Sequence, residues 1–252
     1  MNLFKKKLKI EFFSTVPGVS SVYPVIPAKN YMPNWVEKTK EHYKDFIKHN
    51  QTSRQVHIYR CPGIFDILRT GFYVTMPWDV LIETRGDPWD FKWTVPSAEL
   101  SELMYPHPLV ASHKELARML PTPPGAMTTV IKLATPWQIK APKGIKFMVL
   151  PLSYSDAWQY EHVPGILDPS DSSEVNFQVW WYETNGPYTI KAGTPIAHLI
   201  PITEEDYELV VRDANELDKL WVTKRKYLNN ISFMHLRNKL KKAYWSHWNN
   251  DE

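Results

Sequence analysis

"VPGILDPSDSSEVNFQVWWYETNGPYTIKAGTPIAHLIPI", residues Val163–Ile202, packs three signals into one stretch. An apolar pair, Ile166-Leu167, runs into Asp168-Pro169, a combination that initiates turns. The segment "VNFQVWWYE" alternates apolar and polar positions before three consecutive aromatics, Trp180, Trp181 and Tyr182, and so reads as a strand. "YTIKA", the turn Gly193-Thr194-Pro195 and "PIAHLIPI" complete a strand–turn–strand unit.

The same signals extend upstream. "VIKLA", "WQIKA" and "GIKFMVLPL" follow one another from Val130, each bounded by Pro, Gly or Asn, which predicts an antiparallel barrel or sandwich. Composition agrees: 21 Pro against 9 Gly favour rigid, extended connections over long helices. With 43% hydrophobic residues and 11 Trp among 252 residues, one large domain can bury a substantial core. The formal charge of +3 is too small to point to nucleic acid by itself. Cys61 is the single cysteine, which excludes an intrachain disulfide or a cysteine-based zinc site and fits a reducing cytoplasm. The first residues, "MNLFKKKLKIEFF", have too short an apolar run for a signal peptide or a membrane span, so a soluble, membrane-free and non-secreted chain is expected.

Outside the central stretch, strands are expected at Lys7–Ser14, Val56–Arg60, Phe72–Met76, Asp79–Thr84 and Phe91–Val95. Val22–Pro27 is held extended by its prolines, and 105–125 reads as loop. Helical spacing of Trp35, Tyr43, Phe46 and Ile47 predicts an amphipathic helix over Trp35–Lys48, with Asn34 as N-cap, and a short helix covers Gly63–Arg69. After Ile202 the pattern turns helical. Thr203 and the acidic residues behind it resemble a capped first turn leading through Tyr207, Val210 and Val211 to Leu217 and Leu220. A second helix carries Phe233, Leu236, Leu240, Tyr244 and Trp248. The expected organisation is a β-rich core domain over 1–202 and a helical extension over 203–252.

With those pieces in order, the segment 130–202 resembles the β-clip fold of the dUTPase and dCTP deaminase superfamily. Gly165-Ile166-Leu167-Asp168 matches the family's Gly-apolar-apolar-Asp, and Gly193–Ile200 matches its Gly-Asp-Arg-Ile-Ala-Gln turn and following strand. Ile139–Ser153 looks like its Pro-x-Gly turn and the strand that enters the phosphate-binding motif. The resemblance implies a mainly β, antiparallel barrel of dUTPase-like type, flanked here by an N-terminal helix and C-terminal helices, and a homo-oligomer, with a trimer favoured. It also implies a nucleotide pocket around Ser153, Asp168, Gln178, Gly193 and His198.

The family's chemistry does not carry over. Its Pro-Arg-Ser-Gly motif falls on Pro151-Leu152-Ser153-Tyr154; leucine offers no guanidinium, and tyrosine obstructs close backbone approach to a phosphate. Asp171 stands where an aromatic should face the deoxyribose, Ser173 where a Gly should follow, and Gln178 where the deaminases keep a catalytic Glu. The turn's Asp-Arg is Thr194-Pro195 here and its Gln is His198. No catalytic residue and no cofactor is therefore expected, and Asp168 reads first as a turn brace. Several further segments, among them "CPGIFDILRTGFYVTMPWDVLIET", together resemble a family of marine, T4-like cyanophage proteins that carries no assigned activity. That likeness implies a virion or the infected host's cytoplasm.

Other candidates have plainer readings. His107, His113 and Glu115 fit no zinc signature, so no metal site is expected. Cys61 reads as a buried structural cysteine. Trp78, Trp89 and Trp93, near Asp79, Asp87 and Asp90, read as core and edge packing ahead of a sugar platform. Adjacent residues on a strand face opposite sides, so at least one of Trp180, Trp181 and Tyr182 points away from the core. These three, with Tyr244, Trp245 and Trp248 of the tail, form the candidate interface. The tail "RNKLKKAYWSHW" mixes bases with aromatics as nucleic-acid binders do, although a solvated helix face explains it equally well.

Three functions follow as expectations. The first is a non-enzymatic phage structural or interaction protein, bound to itself, to other virion proteins or to a host protein. The second is a nucleotide-binding or nucleotide-processing protein with altered chemistry. The third is a host-directed effector.

Overall fold

A computed structural model describes residues 7–49, 57–96, 108–113 and 120–229. The architecture is mainly β, with antiparallel sheets and a few helices. The expectations for His107, Glu115, Tyr244, Trp245, Trp248 and the second C-terminal helix lie outside the described residues.

Four sheets enclose one core. β1 (Leu8–Ser14) lies between β8 (Trp137–Lys140) and β15 (Tyr207–Asp213). A five-stranded sheet runs β11 (Gly165–Leu167), β9 (Phe147–Leu150), β14 (Pro195–Pro201), β3 (Phe72–Thr75), β2 (Ile26–Pro27). A four-stranded sheet runs β10 (Tyr160–His162), β12 (Phe177–Trp181), β7 (Ile131–Leu133), β6 (Val110–Ser112). The last has β4 (Val80–Arg85) between β13 (Asn185–Ile190) and β5 (Phe91–Thr94).

Period-two patterning decides which side chains enter the core. On β12, Phe177, Val179 and Trp181 are buried while Gln178 and Trp180 lie half-exposed on the other face. Trp181 is fully buried, stacks on Tyr160 at 6.0 Å, meets Tyr188 edge-on at 5.8 Å and donates its indole N–H to the Glu183 carbonyl at 2.8 Å. It belongs to the core, which corrects its assignment to an interface. Two glycines are forced by geometry. Gly71 has φ +80, and a Cβ there would come within 2.2 Å of the Leu199 carbonyl oxygen. Gly193 has φ +82 in the β13–β14 turn and donates its N–H to Met76 O at 2.7 Å.

The helical reading of 203–213 is overturned. Tyr207, Leu209 and Val211 alternate with Glu208, Val210 and Arg212, and the odd positions pack on the core. β15 pairs in parallel with β1 from Leu8↔Tyr207 to Ser14↔Asp213, so the two halves of this pair come from distant parts of the chain. Thr203 caps a turn instead, accepting the Glu205 N–H at 3.0 Å. The helix starts later, as α4 (Glu216–Asn229). Its start is a reciprocal cap: Asn215 Oδ1 accepts the Asp218 N–H and Asp218 Oδ2 accepts the Asn215 N–H, each at 2.9 Å.

α4 is held on β1 by charge and aromatic contacts together. Trp221 packs edge-on to Phe13 at 5.8 Å, with Lys140 4.9 Å and Arg225 4.7 Å over its ring. Asp218, 1% exposed, accepts hydrogen bonds from Lys140 at 2.8 Å and from Arg212, which also bonds Glu11.

At the other end, α1 (Val19–Val22) precedes the extended segment expected at Val22–Pro27 and overlaps it at Val22 alone. α2 (Asn34–His49) lays Trp35 and Val36 against Phe65 and Leu68 of α3 (Pro62–Arg69), close to the helices expected there. The strand expected at Val56–Arg60 is instead a single 3-10 turn, Ile58–Arg60, within the described part. Its N-cap His57 accepts the Tyr59 N–H through Nδ1 at 3.2 Å. Cys61 is exposed ahead of α3, which corrects the expectation of a buried cysteine.

Candidate functional site

The five positions expected to form a nucleotide pocket are not brought together around one cavity. Asp168 braces its turn: Oδ1 accepts the Ser170 N–H at 2.9 Å and the Ser170 hydroxyl at 2.6 Å. Oδ2 lies 3.2 Å from Lys146 Nζ. Partial burial pushes the Asp168 carboxyl up, but the Ser170 bonds and the Lys146 ammonium outweigh this and hold it below the usual carboxylate range. Arg225 closes the same turn from α4, donating to the carbonyls of Pro169 at 2.7 Å and Ser170 at 3.1 Å.

His198 is fully buried on β14, with Nε2 2.6 Å from the Thr70 carbonyl and its ring 4.6 Å from Tyr73. Burial lowers its pKa, against the opposing Thr70 bond. Gly193 faces the Tyr23 ring from its turn, and Ser153 sits half-exposed in the turn after β9. Tyr154, the next residue, has φ 57 and is the one described non-glycine residue in the left-handed region. Its carbonyl accepts the Trp35 indole N–H at 2.8 Å, and the two rings meet edge-on at 6.0 Å.

Gln178 is the one of the five that lines a cavity, a space of about 560 Å³ lined by residues of both the β10–β12–β7 sheet and the β11–β9–β14 sheet. Its walls are apolar: Val130, Val149, Phe177 and Leu199 are buried there. Polar groups converge on them as well, His113, His162, Lys132 and Gln178 together with Ser172, Glu174 and Asn176. The register sets their faces: Gln178 pairs with Lys132 on the outer face of the sheet, and His162 pairs with Val179 on the opposite, core-facing side, so the cavity is lined from both faces. The His113 N–H continues the β6–β7 pairing by bonding Val130 O at 3.0 Å.

His162 is the unusual member. It is 3% exposed, meets Phe177 edge-on at 5.2 Å, and neither ring nitrogen has a hydrogen-bond partner. It also lines a second cavity of about 420 Å³ beside Trp158 and Tyr182. Burial pushes its pKa down to about 4, so the ring is neutral at pH 7 and offers one donor and one acceptor. The same desolvation and, secondarily, the nearby Lys132 ammonium lower the pKa of His113. Its Nε2 is likewise buried and unpartnered. A lone His in "QYEHV" has no local signature in the sequence; strand pairing sets His162 opposite Val179, and only the tertiary fold brings it to the same cavity as Val149 and Leu199.

The His162 environment sets an acid response. Its folded-state pKa of about 4 lies below the ordinary 6.5, so the unfolded chain takes up the proton first as pH falls. Stability is therefore undiminished above about pH 6.5 and declines by roughly 2–3 kcal/mol toward pH 4. Urea unfolding across that range checks it. His162→Leu should flatten this part of the profile, and an unchanged profile would assign the acid response elsewhere.

The other expected sites resolve into structural roles. Asp79 accepts Lys191 Nζ and the Ala192 N–H, each at 2.8 Å, and Asp87 caps its own turn through the Trp89 N–H at 2.6 Å and the Asp90 N–H at 3.0 Å. Trp78 is buried, whereas Trp89 is partly exposed. Tyr182 and Trp180 lie half-buried on the outer face of β12. The Tyr182 hydroxyl donates to Glu161 at 2.9 Å, and desolvation followed by that carboxylate raises its pKa to about 12. No group of three or more His, Cys, Asp or Glu that could hold a metal ion occurs among the described residues. No described helix is long and apolar enough to cross a membrane.

The fold and this site define a mainly β protein with a sizeable, mostly apolar cavity lined also by several polar groups. No model of a protein family matches the chain, and no curated protein matches it.

Proposed function

We propose that the protein is a non-enzymatic interaction protein built on a degenerate dUTPase-like, β-clip scaffold, and that it works as a homo-oligomer, a trimer by its family likeness. The observation that carries this reading is the state of Asp168. The carboxylate that a nucleotide hydrolase would need free is spent on Ser170 and Lys146, in a turn closed from behind by Arg225. The left-handed backbone at Tyr154 supports the ancestry, because that position matches the glycine of the phosphate-binding motif. A backbone that once suited glycine is kept while the side chain fills the approach.

The outer face of β9 supports the oligomer. Ile166 and Ile200 both pair with Met148, so the three share one face, and Ile166 and Met148 are 60% and 37% exposed. Ile202 continues the apolar strip at the strand's end, and β11 is a sheet edge. Sedimentation equilibrium tests this directly. The wild type is expected as a closed oligomer and Met148→Lys as a monomer with unchanged circular dichroism; a monomeric wild type at tens of micromolar contradicts the reading. The setting carried by the cyanophage likeness, virion or infected-host cytoplasm, is decided by mass spectrometry of purified particles.

A further inference from the structure

The cavity between β12 and β9 combines features that the oligomer reading leaves unused. Its inner wall holds the ring of His162, with both nitrogens unpartnered beside the buried apolar side chains of Val149, Phe177 and Leu199. An uncompensated polar group in such surroundings costs stability, and a partner supplied by a ligand would remove that cost. Nearer solvent, half-exposed Lys132 and His113 stand on neighbouring strands, and Lys132 has no ion pair among the described residues.

We infer that this cavity is a binding site for a small amphipathic carboxylate whose apolar body carries a second hydrogen-bonding group. The carboxylate sits at Lys132 and His113, the body lies against Val149, Phe177 and Leu199, and the inner hydroxyl or carbonyl meets His162. Gln178, paired with Lys132 across the strands, offers an amide to the same head group. Glu174 also lines the space, but its carboxylate is engaged by Lys226 at 3.6 Å and by the Asn176 amide at 3.2 Å. A volume of about 560 Å³ suits a ligand of this size. One ammonium can balance one carboxylate, whereas a triphosphate needs several cations, so the charge balance selects against a nucleotide. Unlike the oligomer reading, this inference depends on no family likeness and stands or falls separately.

Isothermal titration calorimetry of the full chain with ω-hydroxydecanoate, decanoate and decanol provides the test. ω-Hydroxydecanoate is expected to bind roughly fivefold more tightly than decanoate, and decanoate roughly tenfold more tightly than decanol. His162→Phe should erase the first ratio and Lys132→Met the second, with each variant's fold checked by circular dichroism. The two substitutions report on different ends of the cavity, so a folding failure in one leaves the other decisive. Absence of binding by all three probes, or ratios that survive both substitutions, would overturn the proposal.

Discussion

Trp181→Ala is expected to lower the free energy of unfolding by about 3–5 kcal/mol. The indole is fully buried between Tyr160 and Tyr188, and its N–H is satisfied by the Glu183 carbonyl. Truncation removes the largest buried side chain of β12, opens a cavity that the flanking rings cannot fill, and takes one of two donors from that carbonyl, which keeps the Thr84 hydroxyl. Chemical denaturation followed by far-ultraviolet circular dichroism measures the loss. An interface residue would behave differently: the isolated chain would lose under about 1 kcal/mol, as surface substitutions do, and the sedimentation profile would change instead. That outcome would return Trp181 to the candidate interface.

Asp218→Ala should cost about 3–4 kcal/mol, because it leaves Lys140 and Arg212 crowded together without their shared carboxylate and removes the side-chain half of the reciprocal cap of α4 at the same time. Both cations keep some contact with water, which holds the loss at the lower end for a broken buried ion pair. The pH dependence follows from the same group. Burial pushes the Asp218 carboxyl up, but Arg212, Lys140 and the Asn215 N–H together bring it down to about 2, below its ordinary 3.8. A depressed carboxylate pKa stabilises the folded state fully above the ordinary value, and the contribution is lost as pH falls through about 2. The wild type should therefore lose stability steeply between about pH 4 and pH 2, and the variant should lose this limb of its profile. Equal acid limbs in the two proteins would show that the carboxylate is not what fastens α4 to the sheet.

The central strands were legible because local pattern and tertiary role agree there. β12 alternates cleanly, and its inward residues Phe177, Val179 and Trp181 are the ones the fold buries. Asp168 was legible as a turn brace because Asp-Pro-Ser supplies both the break and the local donors. Val210 and Val211 belong to a different case. Their strand exists because β1, from the opposite end of the chain, provides the pairing edge, and nothing local to "DYELVVRD" announces a parallel partner that remote. The same stretch also reads as a helix with an acidic start, and tertiary pairing overrides that local preference. The true helix signal, Asn215 three residues before Asp218, was present in the sequence but concealed behind the earlier Thr203 cap.

The cavity was the least legible feature. Its polar members come from β7, β10, β12 and the end of β6, so no linear spacing joins His113 to His162. Gln178 was singled out through a family resemblance, as a lost catalytic position, and the structure places it on the wall of a cavity with other polar groups. Cys61 went the other way: no neighbouring pattern marks it as a nucleophile, so burial is expected, but the residue is exposed ahead of the exposed first turn of α3.

We propose that the backbone of a nucleotide-processing hairpin persists here without its chemistry. Incubating the purified protein with dUTP, dCTP and the other deoxynucleoside triphosphates in the presence of magnesium, and separating products by chromatography, tests it most directly. The account predicts no protein-dependent hydrolysis or deamination of any of them and no shift in melting temperature on adding them. Turnover of any triphosphate that is abolished by Asp168→Ala would contradict it.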